Sequence, residues 1–320
     1  MSSRRNFIKA TTLGLAGVSL KTKLGASTLF SESNQWPIHI FSKCLQFLDY
    51  NKMAEVVAQS GFDGADLTVR RGGQVLPENV KTDLPKVVKA LRENGVDSKM
   101  IVTDITDPDD PMAADILQTM ANLDIKYYRL GYLDYDPNKS IPENLDIHKH
   151  TFEKLEKLNQ KYGVHGGYQN HSGTRVGGPV WDLYYLLKDR NPEFIGVQYD
   201  VRHAMVEGGI SWPLGMKLLA PWIKTTDIKD FIWQETDNGD WEIRNVPLGE
   251  GMVDFEKYFG LYKSLNIEAP VSIHYEYDLG GAEHGSTNPT MGLEEISGLL
   301  LKDILFLKSQ FRSTGLQQSR

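Results

Sequence analysis

The chain has 320 residues, enough for one large α/β domain or two small ones. A net charge of −7, with no basic run after the first few residues, argues against a nucleic-acid partner. The single cysteine, Cys44, excludes an intrachain disulfide framework and a cysteine-rich zinc site. It reads as a core residue, because no base is spaced to activate it.

At the N-terminus, Arg4 and Arg5 precede Phe7, and a mildly apolar stretch from Ala10 to Leu20 follows. A charged segment before a short apolar one is the pattern of an export signal, and it is too short for a stable membrane span. The Arg-Arg pair with Phe7 is similar to the twin-arginine signal, which directs folded proteins to the export machinery. Residues 1–34 are therefore expected to be signal and linker, and the protein to be periplasmic or otherwise exported. Cleavage is expected between Ala26 and Asn34.

From Trp36 onward, strands and helices alternate. Ile38–Phe41 reads as a strand. The stretch 51–60 has apolar residues at Met53, Val56 and Val57, which is helical spacing, and Gly61 stops it. GFDGADLTV is a turn and a strand. A helix is predicted over 83–94, closed by Gly95, then a strand over 98–103. A helix over 111–123 leads to a strand over 126–131. The long helix 142–162 ends at Gly163 and leads to a strand over 164–170. Helix 180–188 precedes strand 194–200, and helix 212–220 precedes strand 222–228. Helix 254–265, strand 270–275 and helix 293–309 complete the series. Eight strand–helix units without a composition break predict a parallel sheet closed as a (β/α)8 TIM barrel over residues 35–312, with a frayed polar tail at 313–320. An open doubly wound sheet is the alternative, but no GxGxxG follows a strand.

In such a barrel the active site lies at the C-terminal ends of the strands. Those ends carry Asp66, Thr68 and Arg70; Asp104; Arg129 and Tyr132; Gln169, Asn170 and His171; Asp200, Arg202 and His203; Asp227, Lys229 and Asp230; and His274, Glu276 and Asp278. The opposite ends carry few such groups, which points to an enzyme. Alternation puts Gln169 with His171, Asp227 with Lys229, and His274 with Glu276 on shared faces. Asp, His and Glu side chains from different strands form an oxygen and nitrogen donor set suited to Mn, Mg, Co or Zn. Such a metal would polarise a sugar carbonyl while a side chain moves the proton. Trp212, Trp222, Trp233 and Trp241 read mostly as core, although one or two near the mouth could stack on a sugar face. His39, His148, His150 and His165 read as structural or surface residues. His284 could either close over a ligand or be solvated.

The motifs GFDGADL, YQNHSG, IGVQYDVRHAMVEGG, IKTTDIKD, VPLGEGMVDF and VSIHYEYDLGG, in this order over about residues 36–310, resemble the sugar phosphate isomerase/epimerase family of xylose isomerase-like barrels. The resemblance implies a divalent metal held by a Glu, an Asp, a His and a final Glu, the two glutamates shuttling a proton between adjacent carbons. Asp200 stands at the family Asp, His203 at its substrate-binding His, and Glu276, or His274 in a shifted register, at the last ligand. Gln169 replaces the first Glu, and Asp227 replaces the His before Lys-Asp. A neutral amide is no base.

The expected metal ligands are therefore Asp200, Asp227, His274 and Glu276, with His171 a further ligand if the site is rebuilt; weak or absent metal binding is the other outcome. The expected bases are His171, Glu276 or a Lys229 of depressed pKa. Arg129, Gln169, Asn170 and His203 are expected to bind substrate. The expected activity is isomerase- or epimerase-like proton transfer beside the carbonyl of a small carbohydrate. Elimination or hydration of a 3-keto-glycoside, or a catalytically inactive carbohydrate-binding barrel, are the alternatives. Assembly into a homo-oligomer is left open.

Overall fold

The computed structural model describes residues 36–316, so the expected export signal, with Arg4 and Arg5, lies outside the described residues. Eight parallel strands close into a barrel: β1 (Ile38–Phe41), β2 (Gly64–Thr68), β3 (Asp97–Val102), β4 (Tyr127–Arg129), β5 (His165–Gln169), β6 (Ile195–Asp200), β7 (Ile223–Ile228) and β10 (Val271–Ile273). Closure runs β1-β10-β7-β6-β5-β4-β3-β2, so the alternative of an open sheet does not apply.

The helices are α1 (Tyr50–Gln59), α2 (Val80–Glu93), α3 (Pro111–Asn122), α4 (Ile141–Tyr162), α5 (Val180–Leu187), α6 (Val201–Gly208), α7 (Trp212–Leu219), α8 (Phe255–Ser264) and α9 (Leu293–Thr314). Their limits follow local chemistry. The Asp49 carboxylate accepts from the Lys52 amide at the start of α1. Ser140 and Glu143 form a capping box on α4, which Gly163 ends in the left-handed conformation. Apolar helix faces and strand residues such as Ile40, Leu67, Ile101, Val197 and Ile228 make one continuous core. None of the described helices is long and apolar enough to cross a membrane.

Two features depart from the expected pattern. After β6 the chain makes α6 before α7. After β7 it makes an antiparallel hairpin, β8 (Asp230–Glu235) and β9 (Trp241–Val246), at the mouth of the barrel. Trp233 and Trp241 lie on this hairpin at 40% and 63% exposure, so they are not core as expected, whereas Trp212 is buried. The closing helix runs to Thr314, past the expected Ser309. Cys44 is buried, and burial pushes its thiol up to about 12, as a core residue requires.

Candidate active site

The strand ends at one mouth of the barrel deliver a buried polar group. Gln169, the last residue of β5, lies at its centre. Its amide nitrogen donates to Asp200 Oδ2 at 2.9 Å and to Asp227 Oδ2 at 2.6 Å. Its carbonyl oxygen accepts from Arg129 at 3.0 Å and from the Tyr132 hydroxyl. The hydrogen-bonding capacity of the amide is thus consumed inside the protein. Asn170 likewise pairs with the backbone of Asp200, donating to its carbonyl at 3.0 Å and accepting from its amide at 2.8 Å. Both residues are fully buried, and their hydrogen bonds hold the Asp200 strand end in place.

Lys229 lies beyond the end of β7. Its ammonium is 3.0 Å from Asp200 Oδ2, 3.2 Å from Glu276 Oε1 and 3.0 Å from His203 Nε2. Burial disfavours the ammonium, but the fields of Asp200, Glu276 and Asp227 outweigh burial and raise its pKa. The expectation of a depressed lysine that acts as a base is therefore overturned: Lys229 is a fixed cation. In return, although burial acts against its charge, Glu276 is held well below the usual carboxylate range by Lys229 and then Lys43.

His203 belongs to the first turn of α6, where the Asp200 side chain accepts from its amide at 3.1 Å. Burial, then Lys229, keeps its imidazole neutral, and Ser172 Oγ lies 2.8 Å from Nδ1. His171 stacks on it, ring centroids 3.9 Å apart, and is also lowered by burial and by Lys229. Arg202 reaches from the same turn to Asn245 of the hairpin at 3.0 Å, and Asn245 donates to the Glu276 carbonyl at 3.4 Å. Sequence reasoning missed Asn245, because the hairpin that carries it was not recognised. His284 is largely exposed and pairs only with Glu283, the solvated alternative.

The four expected metal ligands are divided. Between Asp200 and Glu276, the donor set does not fit a divalent ion, because the Lys229 ammonium lies between them and a Gln169 amide hydrogen points at Asp200 Oδ2. Asp227 and His274 instead join Asp66 on β2, their ligand atoms all lying within 4.8 Å of one another. This buried group could hold a metal ion. Asp66 was legible only as a strand-end carboxylate. A separate groove of 740 Å³, floored by Tyr127 and His165, opens at the other end of the barrel, away from this chemistry.

A closed parallel barrel with its ionisable residues gathered at the C-terminal mouth defines the class as TIM-barrel, with an enzyme-like site. The chain belongs to the xylose isomerase-like TIM barrel family, whose model matches residues 54–300. No curated protein matches the sequence.

Solved structures with the same fold include 3-keto-D-glucoside 4-epimerase, YcjR, from E. coli (13% identity, 86% of this chain and 99% of that one, TM-score 0.61). They also include a D-tagatose 3-epimerase-like protein (16%, 87% and 98%, 0.63). A third is the probable 3-DHS dehydratase AsbF from Bacillus anthracis (12%, 85% and 98%, 0.62). At these identities the likeness is one of fold alone.

Proposed function

We propose that this protein is an isomerase- or epimerase-like enzyme that moves a proton on the carbon beside a sugar carbonyl. The observation that carries the reading is a buried, permanently charged Lys229 adjoining an ionised Glu276 and the neutral His171–His203 pair. Glu276, one-quarter exposed, takes the proton from the substrate carbon. Lys229, whose three N–H groups are held by Asp200, Glu276 and His203, stabilises through its positive field the negative charge that develops on the carbonyl oxygen. His171, partly exposed, takes a proton from solvent and passes it to the opposite face, which inverts the centre, while Glu276 releases the abstracted proton to water. Return by Glu276 to the neighbouring carbon would isomerise instead.

A second reading is favoured by Gln169. With an amide where the family resemblance implies a second carboxylate base, one-base chemistry is the simpler outcome. Elimination from a 3-keto-glycoside needs one base to remove the proton beside the ketone and one acid to protonate the departing oxygen. The fold is shared with an epimerase of a 3-keto-glucoside and with a dehydratase, which supports both readings.

The Arg4-Arg5-x-Phe7 pattern supports an enzyme that is exported and acts on unphosphorylated sugars, which fractionation of cells for the full chain would test.

The chemistry is tested by incubating the protein with free ketoses and with 3-keto-glucosides in D₂O. Proton transfer incorporates deuterium beside the carbonyl, read by NMR. Epimerisation and isomerisation keep the skeleton, whereas elimination frees the aglycone. Neither deuterium incorporation nor aglycone release with any such substrate would leave the binding barrel as the reading.

A further inference from the structure

Three fully buried carboxylates, Asp66, Asp200 and Asp227, share the barrel mouth with the buried cations Lys229, Arg129 and Arg202 and with His274. Lys229 is committed to Asp200 and Glu276, and Arg129 to Gln169. Asp66 and Asp227 are left with His274. Ser272 Oγ donates to Asp66 Oδ2 at 2.9 Å, which turns the carboxylate so that Oδ1 has no hydrogen-bond partner. His274 Nε2 lies 3.1 Å from Asp227 Oδ1 and 3.8 Å from Asp66 Oδ2, out of line for a hydrogen bond with either, and although burial acts against its charge these carboxylates raise its pKa, so a metal ion here would take the place of the ring proton. A buried carboxylate oxygen without a partner, with a second carboxylate and an imidazole whose ligand atoms lie within 4.8 Å of one another, is a donor set that a metal ion would complete.

The surroundings are built in the same sense. Phe41 stacks on the His274 ring at 4.3 Å between centroids and fixes its plane. Gln198 donates to Asp227 Oδ1 at 2.7 Å and orients it. Such supporting contacts hold ligands in place around a metal. The separation of Nε2 from the Asp227 oxygen is that of two neighbouring ligands on one ion, given metal–ligand bonds of about 2.0–2.2 Å.

We infer that Asp66, Asp227 and His274 form a divalent-cation site of their own, distinct from the Asp200–Lys229–Glu276 group. The ligand class is a small transition-metal ion, Mn²⁺, Co²⁺ or Zn²⁺, since imidazole with two carboxylates suits these better than Ca²⁺. Lys229 supplies the charge between Asp200 and Glu276, and the metal is displaced to the β2–β7–β10 side of the barrel. The site stands whether or not the proposed sugar chemistry does, because its test reads binding.

Full-length protein stripped with EDTA is titrated with Mn²⁺, Co²⁺ or Zn²⁺, and bound metal is counted by elemental analysis. One ion per chain is expected. Asp66→Asn and His274→Gln should each weaken binding at least about tenfold, whereas Asp200→Asn should retain it. Pulsed EPR of the Mn²⁺ form of the unmutated protein should show coupling to an imidazole nitrogen, an arm that does not depend on variants folding. Circular dichroism checks the variants. No uptake of any of the three ions overturns the inference. So does binding that survives Asp66→Asn but disappears in Asp200→Asn, and so does a bound ion without nitrogen coupling.

Discussion

Lys229 Nζ lies 3.0 Å from Asp200 Oδ2, and both side chains are almost fully buried. A pair of this kind contributes little over an apolar pair of the same shape, yet removing one member leaves an uncompensated charge. Lys229→Met should therefore destabilise the fold by about 3–5 kcal/mol. If Lys229 stabilises the developing oxyanion, turnover should also fall by about 10²–10³-fold in folded protein. Urea unfolding and deuterium exchange into substrate measure the two effects. A stable variant with unchanged turnover would remove Lys229 from the proposed chemistry.

The barrel wall is tightest where glycine replaces a side chain. A Cβ on Gly196 in β6 would sit 2.2 Å from the Trp222 carbonyl oxygen and 3.1 Å from the His165 ring. The first contact is with backbone and cannot be relieved by a rotamer change. Gly196→Ala should cost about 1–3 kcal/mol or more. Gly260 in α8 has nothing within 4 Å of the added atom, so Gly260→Ala should stabilise by about 0.5–1 kcal/mol. Calorimetry on the two variants should give melting shifts of opposite sign.

Asp303 in α9 is buried and accepts from the Leu248 amide at 3.2 Å and the Tyr277 hydroxyl at 3.0 Å. Burial outweighs both hydrogen bonds and raises its carboxyl from 3.8 to about 7. The native state thus binds this proton more tightly than the unfolded chain. The stability it contributes is fully present below about pH 4 and is lost as pH rises through about 7. Each tenfold difference in proton affinity between the folded and unfolded chain is worth about 1.4 kcal/mol. Urea midpoints between pH 4 and 8 should fall more steeply in the unmutated protein than in Asp303→Asn. Parallel curves would mean that Asp303 ionises normally.

The barrel was legible because helix stops such as Gly61, Gly95 and Gly163 separate runs of different periodicity, and this is local information. The hairpin was not read. Asp230 follows β7 without a break, although Asn238-Gly239 between two alternating runs was a usable hairpin signal. The strand ends identified the polar residues at the mouth, but not which of them touch. Whether Lys229 is a base or a cation depends on two carboxylates, Asp200 and Glu276, that are distant in sequence. Periodicity carries no record of such pairings. Asp66 acquires a role only through closure of the barrel, which sets β2 beside β1 and β1 beside β10.

The amide of Gln169 supports a further test. It donates to Asp200 and Asp227 at once, so it holds two buried carboxylates together without adding charge. Gln169→Glu puts a third carboxylate there and deletes both donors. Without a divalent ion, three carboxylates at contact distance outnumber the charges of Lys229 and Arg129 beside them, and must either repel or take up a proton. Stability should fall by about 1–3 kcal/mol, the desolvation penalty of acceptors that lose their donor. The introduced carboxylate, with Asp200 and Asp227, is an oxygen site for a divalent ion. Millimolar Mn²⁺ should then raise the melting temperature of the variant. The comparison is made in an Asp66→Asn background, so that the neighbouring group does not contribute. There, Mn²⁺ should stabilise the Gln169→Glu protein and leave its Gln169 parent unchanged. A variant as stable as its parent without metal would mean that the amide does not bridge the two carboxylates.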